Sequence, residues 1–295
     1  MTRLNPFTEA LETDPEDQDL VKRVQGGSRE ALELLITRHQ SWIYNITVRM
    51  VYHPQDAEDA TQEILIKLMT KLSTFEGRSS FRTWLYRIAV NHVLNMKRAR
   101  GEQQNWNFTI YGNGLNSAPD EELPDPKSVP ADLKLLVDEA RIGCTSGMLL
   151  CLDREQRLIY ILGEIFGVTD AVGAELLEIS RDNFRQKLSR ARRDLHSFMQ
   201  NQCGLVNKAN QCRCAKKTQA FMRAGYLNPA NLLFASKHVT RVREVAEKTH
   251  DDMASLDAAY SEIHRDHPFL EPPDFVSSLR TLMNHPDFKS ILELN

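Results

Sequence analysis

Apolar residues in the first hundred positions recur at helical spacing, not strand spacing. Leu20, Val21 and Val24 form one stripe, and Leu32, Leu35 and Ile36 form another, the rhythm of amphipathic helices. Between the stripes Gly26-Gly27 breaks the pattern, and Ser28 followed by Glu30 and Ala31 reads as a capped restart. A further helix is expected from about Asp56 through DAEDATQEILIKLMTKL, with acids early and Lys67 and Lys71 late, the order the helix dipole favours. The loop FEGRSS then precedes a helix predicted from Phe81 to about Arg98. Residues 101–130 hold four prolines, three glycines and one short apolar patch from Trp106 to Tyr111, a linker composition. Helical patterning resumes near Ala131, and beyond Thr218 amphipathic stretches alternate with the breaks LNPAN and FLEPPD. No strand-type alternation of any length appears, so the expected fold is all-α.

The boundaries drawn from these shifts are a flexible N-terminus (1–16), a first helical domain (17–100), a flexible linker (101–130), a second helical domain (131–200) and a helical, cysteine-containing C-terminal extension (201–295). No run of about eighteen apolar residues occurs, and the acidic start MTRLNPFTEALETDPEDQD lacks a signal peptide's apolar core. A cytoplasmic protein without a membrane segment is the expectation. Five cysteines, an odd number without an export signal, argue against a disulfide framework.

The net charge of −3 conceals an uneven distribution. Arg78 to Arg100 contains six Lys/Arg and no acid, and Arg181 to Arg193 contains six against Asp182 alone. Two basic blocks in a mildly acidic chain suit a nucleic acid contacted at two places, although two solvated helix faces would produce the same pattern. The second block has a sharper context. A helix from Arg154 to Phe166 is expected to end at Gly167, Thr169 to cap a short helix reaching about Glu178, and Ser180 to cap a basic helix. A short helix, a tight turn and a second helix with Arg, Asn and Gln near its start is the helix-turn-helix layout. Those side chains suit guanine and adenine edges. Phe184, Leu188, Ala191 and Leu195 share a stripe expected to face inward. Ser180, Arg181, Asn183, Arg185, Gln186, Lys187 and Arg190 are the candidate DNA contacts.

The first basic block carries a resemblance. FEGRSSFRTWLYRIAVNHVLNMKRAR (75–100) resembles the promoter-melting segment of bacterial RNA polymerase sigma factors, in particular the extracytoplasmic-function class. DLVKRVQGGSREALELLITRHQSWIYNIT (19–47) resembles the start of the same domain, sigma region 2. DAEDATQEILIKLMTKL (56–72) is similar to the helix with which those proteins grip the polymerase clamp helices. LDREQRLIYILGEIFGV through SRARRDL (152–195) resembles sigma region 4. The resemblance implies core RNA polymerase (clamp helices and flap) and promoter DNA as partners. It also implies no catalytic residue and no required cofactor. It assigns minus-ten contacts to Phe75, Arg78, Ser79, Ser80, Arg82, Tyr86, Asn91, Asn95, Lys97 and Arg98, and polymerase docking to Asp56, Glu58, Asp59, Gln62 and Glu63. Melting needs aromatics for stacking, cations for the backbone and a pocket for a flipped base, and this segment supplies those residue types. Phe81, Trp84, Leu85 and Ile88 share a core-like face, leaving Tyr86 as the aromatic expected to be exposed. The start TDAVGAELL and the recognition sequence SRDNF depart from the family's commoner types, so promoter preference does not carry over.

The stretch CGLVNKANQCRC places Cys203, Cys212 and Cys214 within twelve positions. Zinc at a structural site takes four Cys or His ligands; His196 is the candidate fourth, with Cys144 and Cys151 as alternatives. A zinc clasp, a redox or metal-sensing switch and ordinary reduced thiols all remain open, and nearby Lys208, Arg213, Lys216 and Lys217 are expected to favour thiolate. The extension is a candidate for regulation in cis, with a separate anti-sigma or signalling partner as a further candidate. The competing function classes are a helix-turn-helix regulator that does not dock on polymerase and a metalloenzyme built on the cysteines. The melting segment disfavours the first. The lack of a nearby acid–base pair disfavours the second.

Overall fold

The computed structural model describes residues 14–97, 100–103, 106–129, 131–234, 263–265, 267 and 269–283. These residues form helices and turns; among them the only β-type pairing is an isolated bridge between Cys203 and Cys212. They fall into two compact units. The first contains residues up to Gly101, together with 161–186 and 270 onward. The second contains residues 102–160 and 187–269.

In the first unit, α1 (Pro15–Gln25) is capped by Asp14, whose carboxylate accepts from the Glu16 and Asp17 amides. α2 (Arg29–Val51) begins at Ser28, whose hydroxyl accepts from the Ala31 amide. α2 is the central element, for every residue from Trp42 to Val51 is buried, as a helix surrounded by others must be. α3 (Pro54–Lys71) lays Ala57, Ala60, Ile64, Leu65, Leu68 and Met69 inward. The loop after it turns at Gly77, whose φ of +72° is open to glycine at no steric cost. α4 (Phe81–Asn95) is capped by the Ser80 hydroxyl, which accepts from the Thr83 amide at 3.1 Å. α8 (Asp170–Leu177) and the first turns of α9 (Arg181–Gln202) form a helix-turn-helix in this unit, which also contains α11 (Phe275–Met283).

In the second unit the supposed linker contains an ordered helix, α5 (Phe108–Ser117). Its patch of aromatics anchors it: Phe108 and Tyr111 lie 5.1 Å and 6.0 Å from the Phe198 ring. The Tyr111 hydroxyl donates to the Cys144 carbonyl at 2.8 Å. α6 (Leu133–Leu149) and α7 (Arg154–Tyr160) follow, the latter continuing as a π-helical turn, Ile161–Ile165. Glu102 clamps α7, accepting from Nε and one terminal nitrogen of Arg154 and from Arg157 at 2.9 Å. α10 (Cys214–Arg223) packs on α6 through Leu136 and Ala140 against Phe221, Met222 and Leu227. Glu139 of α6 accepts from the amides of Leu233 and Phe234, and the Thr145 hydroxyl lies 2.6 Å from the His267 ring. Of the amphipathic stretches expected beyond Thr218, the segment 235–262 lies outside the described residues.

Candidate nucleic-acid interface

The stretch expected to melt promoter DNA occupies the loop 75–80 and α4. Phe75 is half-buried, with its ring 5.8 Å from Phe81 and 5.3 Å from Trp84. Arg78 stands fully out at the loop tip, its guanidinium 2.5 Å from the Glu76 carboxylate. Ser79 is half-buried, and Ser80 is committed to its capping bond. Asn91, Asn95 and Lys97 are exposed along the far half of the helix, with the Asn95 amide donating to the Asn91 carbonyl. Arg98 lies outside the described residues.

Two of the expected contacts are placed elsewhere. Tyr86 is 1% exposed and cannot act as an open stacking surface. Its ring packs 4.1 Å from Trp42, and its hydroxyl pairs with His39 Nδ1 at 2.9 Å. Arg82 is turned back into an ionic cluster, where its Nε donates to Asp17 at 2.9 Å and a terminal nitrogen pairs with Asp14. Arg38 donates to the same two acids and to Glu16, and His39 Nε2 lies 3.3 Å from Asp17. Burial would raise the Asp17 carboxyl, but His39, Arg82 and Arg38 outweigh it and hold the pKa at about 2. Arg82 therefore stitches α4 to α1.

Along α3 the docking candidates face outward opposite the apolar stripe. Asp59 and Glu63 are exposed, while Asp56, Glu58 and Gln62 are half-buried. Burial, then the neighbouring Asp59 charge, raises the Glu58 carboxyl. Glu63 lies 3.6 Å from the buried His92. Burial, followed by the charge of Lys67, lowers the His92 pKa.

The helix-turn-helix forms as its caps dictate. Gly167 takes φ +68°, the Thr169 hydroxyl accepts from the Val172 amide, and Glu178 closes α8 in the left-handed region at φ +55°. The Ser180 hydroxyl accepts from the Asn183 amide at 3.1 Å. Gly173 matters here, since a Cβ at that position would meet the Phe184 ring at 2.3 Å. The inward stripe holds Phe184, Ala191 and Leu195 buried. Ser180, Arg181, Arg185, Gln186 and Arg190 are exposed, while Asn183 and Lys187 are half-buried. Arg185 pairs with Asp170 and Asp182, and Lys187 with Glu155. Exposed pairs of this kind exchange readily for other anions, phosphate included.

Within the first unit, α8 also leans on α4. Arg87 of α4 donates to the Glu175 carbonyl at 3.3 Å and lies 3.6 Å from Glu178. Phe166 packs against Trp42, with the Arg49 guanidinium 5.2 Å over its ring. The C-terminal segment docks on α2. The Asn45 side chain donates to the Leu270 carbonyl at 2.8 Å and accepts from its amide at 2.9 Å. Phe275 meets the Tyr44 ring at 6.1 Å, and Arg280 makes a two-pronged pair with Glu33 at 2.8 and 2.9 Å. Nothing in the sequence marked Asn45 or Arg280 as docking residues.

The cysteines lie in the second unit. Cys203 closes α9, Cys212 bridges to it through the backbone, and Cys214 begins α10. The lysines and arginines nearby were expected to favour thiolate, but burial dominates. It raises the Cys203 and Cys212 thiols and pushes Cys214 up to about 12. His196 is buried against the Tyr160 ring.

Residues 35–103 match the family described as Sigma-70 region 2. The RNA polymerase sigma-H factor of Pseudomonas aeruginosa is 45% identical over 91 residues, 31% of this chain and 47% of that protein, so the chain spans about half of that relative. The ECF RNA polymerase sigma-E factor of Haemophilus influenzae is 28% identical over 189 residues, 62% of this chain and 95% of that protein. Its counterpart from Escherichia coli strain K12 is 29% identical over 188 residues, 62% and 94% respectively. Among solved structures, CnrH in complex with the cytosolic domain of CnrY aligns with a TM-score of 0.44 at 19% identity, over 62% of this chain and 97% of that one. Among the described residues no helix is long and apolar enough to cross a membrane. The region 2 match and the alignments to sigma-E factors make this chain similar to bacterial RNA polymerase sigma factors of the extracytoplasmic-function class.

Proposed function

We propose that this protein binds core RNA polymerase through the outer face of α3, opens the minus-ten element with the loop 75–80 and α4, and reads the minus-thirty-five element with the start of α9. The observation that carries the reading is the exposed cation and amide surface of the melting segment, which is acid-free from Arg78 to Arg100. Arg78, Asn91, Asn95 and Lys97 are exposed beside a half-buried aromatic pair, Phe75 and Trp84, inside the stretch that matches Sigma-70 region 2. Cations hold the strand while aromatics and amides hold unstacked bases. Arg82 and Tyr86 are left out of this surface, because one is paired with carboxylates and the other is buried.

In this reading the protein is not itself a catalyst; it lends promoter choice to one. The segment 270–283 restrains it in cis, alone or with a separate anti-sigma partner. Two contacts support that role: the Asn45–Leu270 and Glu33–Arg280 pairings on α2. Run-off transcription with core polymerase on a promoter library tests both parts. Full-length protein should direct initiation at a defined pair of elements, and failure to bind core would reject the reading. Removal of residues 270–295 should raise core affinity or initiation by about 5-fold or more, the lower end of ordinary coupling energies. Unchanged activity would reject restraint by the segment while leaving the sigma-factor reading intact.

A further inference from the structure

Resting on the function inferred above, we propose that α8 is an internal lock on α4. Glu175 and Glu178 occupy Arg87 where nucleic-acid phosphate would otherwise bind, so the first unit opens at this contact before α4 holds a strand. Arg87, Asn91 and Asn95 follow one another at four-residue intervals and so share one face of α4. Asn91 and Asn95 stand exposed on that face, whereas Arg87 is half-buried and held by α8. With Arg82 committed to Asp14 and Asp17, Arg87 is the remaining arginine of α4.

The contact is built for exchange. A guanidinium presents five N–H donors in a planar fork. From α8 and its cap it receives the Glu175 carbonyl at 3.3 Å, the Glu175 carboxylate at 3.8 Å and the Glu178 carboxylate at 3.6 Å. Both carboxylates stand beyond hydrogen-bond reach, and the Arg87 Nε, shut off from water, makes no hydrogen bond. A buried donor in that state keeps its desolvation cost, while a phosphate accepts two parallel bonds from the same fork. Charge therefore holds Arg87 to α8, and geometry favours its transfer to phosphate. Glu178 closes α8 in the left-handed region at φ +55°, where glycine is usual. Glycine would fit that position with less strain but would bring no charge to Arg87. At the other end of α8, Asp170 holds Arg185 of α9 in the same way.

The spacing of the two promoter elements requires the lock to release. Arg181 follows Glu178 by three residues, so the start of α9 lies within about 11 Å of the backbone that holds Arg87. The minus-ten and minus-thirty-five elements are about 25 base pairs apart, which is about 85 Å of B-form DNA at about 3.4 Å per pair. With α8 resting on α4, the unit cannot place α4 on one element and α9 on the other.

The test measures how full-length chains bind a short, random-sequence, fluorescein-labelled DNA single strand, by anisotropy over a series of salt concentrations. Glu175→Gln/Glu178→Gly removes both carboxylates and gives the left-handed position the residue it suits. It should bind about 5-fold tighter than the wild type, the lower end of ordinary coupling energies. Its log–log salt slope should steepen by about 0.7, the mark of one more phosphate neutralised on a single strand. Glu178→Gly alone, the milder change, should show part of the gain. Glu30→Gln, an equal charge change at an exposed acid of α2, should show none. Adding Arg87→Ala to the double variant should abolish the gain, and Arg87→Lys should keep part of it. Circular dichroism checks that each variant retains its helices. The same gain in Glu30→Gln as in Glu178→Gly, a gain that survives Arg87→Ala, or an unchanged slope would overturn the lock. Run-off transcription on the same samples separates the lock from the function it rests on. Core-dependent initiation with no gain in strand affinity overturns the lock alone. A gain without core-dependent initiation overturns the sigma-factor reading and supports the lock.

Discussion

Replacing Asp17 by Asn removes one charge from the centre of the first unit. Asp17 is 1% exposed and takes two guanidinium bonds at 2.9 Å, from Arg38 on α2 and Arg82 on α4. Its pKa falls from 3.8 to about 2, because His39, Arg82 and Arg38 together outweigh the burial that would raise it. A drop of just under two pKa units, at about 1.4 kcal/mol each, is worth roughly 2–3 kcal/mol. The Arg38 and Arg82 side chains are 29% and 22% exposed, so solvent screening trims this to about 2 kcal/mol. The folded pKa lies below the unfolded one, so the stabilisation is complete above about pH 5 and declines as pH falls through 3.8 towards 2. By pH 3 about half of it should be gone.

The assay is urea unfolding of the full chain, followed by tryptophan fluorescence, since two of the three tryptophans, Trp42 and Trp84, sit in this unit. Asp17→Asn should lose about 2 kcal/mol at pH 7, with Asp14 still holding both arginines. The gap between variant and wild type should narrow by about half at pH 3. A loss under about 0.5 kcal/mol, the scatter of neutral surface changes, or an equal gap at both pH values would refute the network's role.

Gly173→Ala should destabilise the helix-turn-helix, because the 2.3 Å approach to the buried Phe184 ring costs about 1–3 kcal/mol. That exceeds the gain of about 1 kcal/mol in helix propensity. Thermal melts of Gly173→Ala, Phe184→Leu and the double variant should show a double loss smaller than the sum. Glu102→Gln strands Arg157, which is 3% exposed, and should cost about 3 kcal/mol in denaturant unfolding. Asn45→Ala removes both bonds to Leu270, and limited proteolysis should then cut within 270–283 faster than in the wild type. In transcription assays Arg78→Ala should impair promoter opening more than duplex binding, whereas Arg181→Ala should weaken upstream recognition in gel shifts.

What the sequence made legible was whatever depends on neighbours along the chain. Apolar spacing, the caps at Ser28, Thr169 and Ser180, and the turn at Gly167 act within a few residues, and each appears in the structure as expected. Helix α5 was missed because its ten residues are held by Phe198, far along the chain, and not by a periodic stripe of their own. Periodicity also identifies a buried face without saying how wide the burial is. Tyr86 is one residue beyond Leu85 and lies off the narrow stripe. Yet α4 is packed by both α1 and α2, so the buried arc widens to take in Tyr86 against Trp42 and His39. The ionic pairings were invisible for the same reason. Asp17 stands in an acidic, solvated-looking segment, and its partners Arg38 and Arg82 are 21 and 65 residues away. Arg82 and Arg78 are both arginines of one basic block, and the block's charge alone cannot divide them. The division follows from Asp14 and Asp17 at the start of α1, which take Arg82 into the fold and leave Arg78 exposed at the loop tip.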